Sequence, residues 1–258
     1  MEAMKRVLSH MRRAVDDYEM IKEGDKVAVG VSAGKDSLTL LCGLAELRRF
    51  YPNKFELCAI TVDMGFEGMD LTPIRELCRE LDVEYHVVPT QISKVIFDVR
   101  KEKNPCSLCA KMRRGALYGY AREIGCTSVA LGHHFDDVVE TFMLNLFHEG
   151  RIGCFQPVTY LTQTGITMIR PMIYMPEKDV RYFANKNQLP VVKSTCPADG
   201  NTEREEMKQL LRSLEKENKG LRYKIFGAIQ RGEIDGFKYV GRMQGMKDYE
   251  DNTEEKDS

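Results

Sequence analysis

The sequence predicts an α/β fold: a doubly wound, mainly parallel sheet with a mostly helical C-terminal extension. Three observations carry that prediction. Short apolar runs alternate with segments of helical period at least four times between residues 26 and 147, the order that βαβ units require. The runs are continuously apolar instead of alternating, as strands covered on both faces are. The first run leaves through Gly30-Val31-Ser32-Ala33-Gly34, small residues that let a strand turn tightly into a helix.

The elements follow in order. Residues 2–21 suit an amphipathic helix, and Lys26–Val31 a buried parallel strand. From Asp36 to Phe50, Leu40, Leu41, Leu44 and Leu47 recur at helical spacing. Glu56–Val62 is a second strand, ending at Asp63, and Leu71–Leu81 a helix with Pro73 in its first turn. Glu84–Val88 is a third strand, Cys109–Ile124 a helix and Ser128–Leu131 a fourth strand. Asp137–Phe147 places Val139, Phe142, Met143, Leu146 and Phe147 on one helical face. Beyond residue 150 the pattern weakens. Ile166–Ile169 reads as a strand, 190–192 as short and extended, and Glu177–Asn187, Glu203–Glu217 and Leu221–Gln230 as helices. The expected organisation is an N-terminal helix at 1–24, an α/β domain at 25–192 and a helical extension at 193–240. An acidic, solvated and mobile tail at 241–258 ends it.

Composition narrows the class. The chain has 258 residues, 43% hydrophobic and 30% charged, with a net charge of -1, an ordinary globular balance that excludes low-complexity disorder of the body. No apolar run approaches the roughly 20 residues of a membrane helix. The N-terminus lacks an apolar signal core, so a soluble, cytoplasmic protein is expected. The last thirteen residues hold six acids and two lysines, leaving the rest weakly basic, which alone does not argue for nucleic acid. Of the eight cysteines, Cys42, Cys58, Cys78 and Cys126 lie in or beside apolar stretches and read as small core residues. Only Cys106 and Cys109 have ligand spacing, with Cys196 a distant third. That set fits an iron–sulfur cluster, a redox or persulfide pair, or zinc.

In such a sheet, ligands bind beyond the carboxyl ends of the strands. There the sequence supplies Ser32-Ala33-Gly34-Lys35-Asp36-Ser37 after strand one, Asp63 after strand two, and Gly132-His133-His134-Phe135-Asp136-Asp137 after strand four. A glycine turn opening a helix, with a lysine and two hydroxyls, suits phosphate. It is not a Walker A loop, because Asp36 stands where Ser or Thr should follow the lysine. A carboxylate there calls for Mg²⁺. The bland alternatives are Asp36 as a helix cap, Asp63 as a turn residue and Asp137 with Glu140 as a capping box. His133 and His134 are adjacent and do not suit one ion, and His148 reads as a surface residue.

SAGKDS resembles the SGGKDS loop of the PP-loop ATP pyrophosphatases. Together with NPCSLCAKMRRGALYGYA, LGHHFDDVVETFMLNLFHEG and IRPMIYMPEKDVRYFA, it is similar to the tRNA 2-thiocytidine synthetase family, from about residue 5 to about residue 235. Ala33 stands where the family has glycine, a mild change provided its φ is negative. Residues 150–170 and the CPADG context of Cys196 depart from the family pattern.

The resemblance implies an ATP-dependent, adenylating tRNA sulfurtransferase. ATP would adenylate the C2 oxygen of a tRNA cytidine, expected at position 32 of the anticodon loop, and sulfur would then displace AMP. It implies that Ser32, Ala33, Gly34, Lys35, Asp36, Ser37, Asp63, Gly132 and Asp137 bind ATP with Mg²⁺, with Lys35, Asp36 and Asp137 catalytic. Cys106, Cys109 and Cys196 would hold a [4Fe–4S] cluster. Lys111, Arg113, Arg114 and Arg170 would face tRNA. A cysteine desulfurase system as sulfur donor and a homodimer are also implied. Alternatives stay open at this point: a PP-loop thiolase of another nucleotide, a lysidine synthetase-like enzyme, and a non-catalytic ATP-binding sensor.

Overall fold

In the computed structural model, the residues described are 2–66, 68–100, 105–192 and 203–240. Cys196 and the acidic tail at 241–258 lie outside them. The strands are β1 Lys26–Gly30, β2 Glu56–Asp63, β3 Glu84–Pro89, β4 Ser128–Ala130, β5 Val158–Leu161 and β6 Ile166–Ile169. The α-helices are α1 Glu2–Asp17, α2 Lys35–Phe50, α3 Thr72–Glu80, α4 Pro105–Glu123 and α5 Phe135–His148, then α6 Glu177–Lys186, α7 Glu203–Glu217 and α8 Leu221–Arg231. They fall into two compact units, Met1–His134 with Val158–Asp199, and Phe135–Pro157 with Gly200–Ser258.

The first unit contains the whole six-stranded sheet, in the order β3-β2-β1-β4-β6-β5. β1 pairs parallel with β2 and β4, β2 with β3, and β4 with β6. Val27, Ala28 and Val29 are fully buried, as the continuous apolar run requires of a central strand. From β1 the chain winds outward through β2 and β3, then returns to build β4 and β6 on the other side. The winding therefore reverses between β1 and β4, where an open α/β sheet leaves its crevice.

Four elements differ from the sequence expectation. β5 runs antiparallel to β6, forming a hairpin at the sheet edge. Its four residues, three half-buried and one exposed, carry too little pattern to be read in advance. Gly165, at φ +69, closes the turn, and its amide donates to the Leu161 carbonyl at 2.8 Å. A short π-helical segment at Lys94–Val99 also went unread. α4 starts at Pro105, one turn earlier than expected, so Cys106 lies inside the helix with Cys109 instead of before it. Finally, α5 begins at Phe135 instead of Asp137.

The core cysteines behave as apolar residues. Cys42, Cys58, Cys78 and Cys126 are all buried, and the sulfurs of Cys58 and Cys126 lie 3.6 Å apart. Burial pushes the Cys42 thiol up to about 12 and the Cys78 thiol up to about 11, so both remain protonated and inert.

In the second unit α5 packs with α7 and α8. The Phe135 ring lies 4.9 Å from the rings of both Tyr223 and Phe226 on α8. α5 opens two residues before the expected start, which puts Asp137 within its first turn and not at the cap. Only the first half of its apolar stripe is covered. Val139 is fully buried, but Leu146 and Phe147 are exposed.

α1 lies on α2 through Val7, Met11, Ala14 and Val15, all fully buried. Gly43 of α2 is the point of closest approach, because a Cβ there would overlap the Met11 side chain and come within 2.9 Å of Val7 Cγ1. Gly43→Leu is expected to force the two helices apart and cost about 2 kcal/mol, read as a lower urea midpoint.

Candidate active site

The loop after β1 is built by backbone constraint. The Val31 amide donates to the Ile60 carbonyl at 2.8 Å, and Thr61 Oγ1 donates to the Val31 carbonyl at 3.0 Å, which ties the loop entrance to β2. Ala33 then takes φ +64, the left-handed region. The condition under which its replacement of glycine would be mild is therefore not met. A Cβ in this region costs on the order of 1 kcal/mol. The conformation is put to use, because the Ala33 carbonyl accepts the Val192 amide at 3.1 Å. Val192, the last described residue before Cys196, is thereby fastened to the loop.

Gly34 is the N-cap of α2, in extended conformation, and no side chain caps the helix. Asp36 is thus not the cap, and the first-turn amides are left directed at the crevice, the arrangement that binds anions. The buried Ser37 braces the turn: its Oγ donates to the Gly34 carbonyl at 3.0 Å and accepts the Ser32 amide at 3.1 Å. Ser32 is exposed at the loop surface.

Lys35 Nζ lies 2.9 Å and 3.1 Å from the two Asp36 oxygens and 3.3 Å from Glu177 Oε1. Burial pulls the lysine pKa down, but the two carboxylates outweigh it and raise the value above normal, so the ammonium is charged at neutral pH. The buried His134 places Nε2 3.7 Å from Asp36 Oδ1. Glu177 was not singled out in the sequence; the available signal was an acid directly after a proline at a helix start, Pro176-Glu177.

The segment after β4 meets the loop backbone to backbone. A Cβ on Gly132 would lie 3.0–3.2 Å from main-chain atoms of Asp36 and Ser37, so any other residue would have to push the two main chains apart by a few tenths of an ångström. Next to it, Arg170 Nε donates to His133 Nδ1 at 3.3 Å, and Arg170 is buried, unlike an ordinary surface arginine before a proline. The two adjacent histidines thus serve different partners. Asp136 and Asp137 belong to the second unit. There Arg222 reaches Asp136 at 3.0 Å and Arg204 reaches Asp137 at 3.0 Å.

At the end of β2, Asp63 Oδ1 accepts the Gly65 amide at 2.9 Å, so it does form its own turn. The next residue, Met64, brings its sulfur to 3.8 Å from Cys109 Sγ. Cys106 and Cys109 are one turn apart on the first turn of α4, with Cys106 exposed and Cys109 half-buried. Lys111, Arg113 and Arg114 are exposed further along the same helix. Among the described residues no group of three or more His, Cys, Asp or Glu side chains is gathered as a metal site. The expected third thiol, Cys196, lies outside those residues.

Comparison with known proteins bears on this arrangement. A family profile described as a PP-loop domain matches residues 4–215. The chain is 39% identical over 231 residues to a tRNA-cytidine(32) 2-sulfurtransferase of Citrifermentans bemidjiense, covering 88% of this chain and 90% of that protein. It is 41% identical over 229 residues to the protein of that name from Teredinibacter turnerae, covering 88% and 76%. Among solved structures it is similar to the U34-tRNA thiolase NcsA from Methanococcus maripaludis with its [4Fe–4S] cluster. That match has a TM-score of 0.72 and 29% identity, over 88% of this chain and 78% of that one.

The left-handed Ala33 generates a test of the loop. Ala33→Gly is expected to gain about 0.5 kcal/mol, a rise of roughly 1–2 °C in thermal melting. Ala33→Val, branched at Cβ, is expected to lower the melting temperature.

Proposed function

The chain belongs to the PP-loop family, among the tRNA-cytidine(32) 2-sulfurtransferases, and from that membership we propose that it adenylates the C2 oxygen of cytidine 32 in tRNA and replaces it with sulfur. It is an ATP-dependent tRNA-thiolating enzyme. The observation that carries the proposed chemistry is the contact of Cys109 with Met64, the residue after Asp63. It joins the cysteine helix to the carboxyl end of β2, the strand paired with the one that feeds the phosphate loop.

The residues divide the work as follows. Pyrophosphate leaving ATP gains charge, and the first-turn amides of α2, fixed by the helix, meet that charge together with the Lys35 ammonium. Asp36 would repel the phosphates on its own, and it would hold a Mg²⁺ ion whose charge offsets that repulsion. Asp63 and Gly132 flank the loop from β2 and β4 and suit the adenosine and the phosphates. Arg170 is a cation for the reaction centre. The exposed Lys111, Arg113 and Arg114 present positive charge to the tRNA backbone.

Cys106 and Cys109 fit two ligand positions of an iron–sulfur cluster, being two sulfurs one helical turn apart at a helix start. Cys196 completes three ligands in this reading, following the segment that Ala33 fastens. A [4Fe–4S] cluster held by three thiolates supplies, when bound, an iron without a protein ligand where sulfide can be held. In this reading the sulfur donor is a cysteine desulfurase system in the cytoplasm. A lysidine synthetase-like role has no use for the three cysteines.

Expression in a host lacking its own 2-thiocytidine, followed by mass spectrometry of tRNA nucleosides, tests the reading. 2-Thiocytidine is expected. A thiolated uridine or lysidine in its place would overturn the assignment. Lys35→Ala is expected to abolish the product while leaving the thermal melt unchanged. Cys196→Ala, purified anaerobically, is expected to lose its bound iron and brown colour, and full iron content would remove the three-thiolate ligation.

A further inference from the structure

Resting on the reading of the loop as an ATP site, we propose that Glu177 is a positioning residue, which holds the Lys35 ammonium in place so that it meets the leaving pyrophosphate already aligned.

Lys35 and Asp36 are neighbours on a helix, and neighbours on a helix point in different directions. Their ion pair closes on itself and gives the long lysine stem little external reference. Glu177 supplies one. It comes from a different helix, α6, which packs on both α1 and α2. Its Oε1 is 3.3 Å from Lys35 Nζ. The two residues open their helices, so the ammonium sits where the N-termini of α2 and α6 meet.

Glu177 is itself held firmly. It stands at the first position of α6 after Pro176, where the helix dipole favours a carboxylate. Arg181, one turn on, donates to the same Oε1 at 3.1 Å. The Glu177 side chain is 12% exposed, against 29% for Lys35. The fixed partner is therefore the glutamate and the adaptable one the lysine. When a triphosphate and its Mg²⁺ enter, Asp36 has the cation to answer. Lys35 can then trade Asp36 for phosphate while Glu177 still anchors its direction. Sequence distance, 142 positions in the chain, is why no local motif exposes the pair.

The test uses the full-length holoenzyme, prepared anaerobically, with unmodified tRNA. ATP affinity is measured by equilibrium dialysis, and the chemical step by single-turnover pyrophosphate release. Glu177→Gln, similar in shape but uncharged, is expected to keep the ATP Kd within about threefold and the thermal melt unchanged, while pyrophosphate release slows by roughly tenfold or more. Glu177→Asp should restore most of the rate, and Arg181→Ala should lose part of it. If Glu177→Gln fails to fold, Arg181→Ala decides: a slowed release at unchanged Kd supports the proposal, and a wild-type rate overturns it. A Glu177→Gln enzyme as fast as wild type, or one whose affinity and rate fall in proportion, overturns the proposal while leaving the ATP reading intact. Wild-type protein that binds no ATP would overturn that reading and this inference together.

Discussion

The close approach of Gly132 to the backbone of Asp36 and Ser37 is the constraint on which the site depends. Two main chains meet at a distance where even a methyl group would be crowded by backbone atoms. That contact fixes the exit of β4 against the first turn of α2, across the place where the winding of the sheet reverses. The groups proposed to meet phosphate are referred to it: the cap at Gly34, the amides behind it, and the charges of Lys35 and Asp36. Side-chain packing elsewhere in the unit can relax after substitution. A backbone contact of this kind has no rotamer with which to compensate.

Around that contact the charges are arranged to be exchanged, not merely neutralised. Lys35 is shared between two carboxylates, and Asp36 faces both the lysine and His134. In the second unit Arg204 and Arg222 answer Asp137, Asp136 and Glu140. Burial outweighs those arginines at Glu140 and raises its carboxyl above the usual range. Within each unit the acids share their cations, Lys35 between Asp36 and Glu177 in the first and Arg222 between Asp136 and Glu140 in the second, which lowers the cost of holding charge in a half-buried place.

Much of this was legible in the sequence, for physical reasons that also mark the limits. β1 and β2 are long apolar runs flanked by turn residues, and α2 and α3 have helical period, so their positions follow from local pattern. The loop was legible because small residues, a lysine and two hydroxyls have few other uses together. Three features were not legible. β5 is four residues long and takes its structure from pairing with β6. α4 begins a turn earlier than its periodicity, because Pro105 is well suited to a first helical position whatever follows. The left-handed φ of Ala33 follows from the bond its carbonyl makes to Val192, a residue far along the chain. Glu177 shares that cause: its role is set by tertiary proximity, which no periodicity encodes.

The bond between Arg170 and His133 has a consequence for how that histidine can act. A guanidinium has no lone pair to offer and keeps its protons at any working pH, so at this junction it can only give. Nδ1 of His133 must then be the bare nitrogen, and the hydrogen of the neutral ring is confined to Nε2. The imidazole is locked in one tautomer. Its far edge presents a hydrogen and no basic nitrogen, so it can polarise an oxygen but cannot remove a proton while the arginine stays in place.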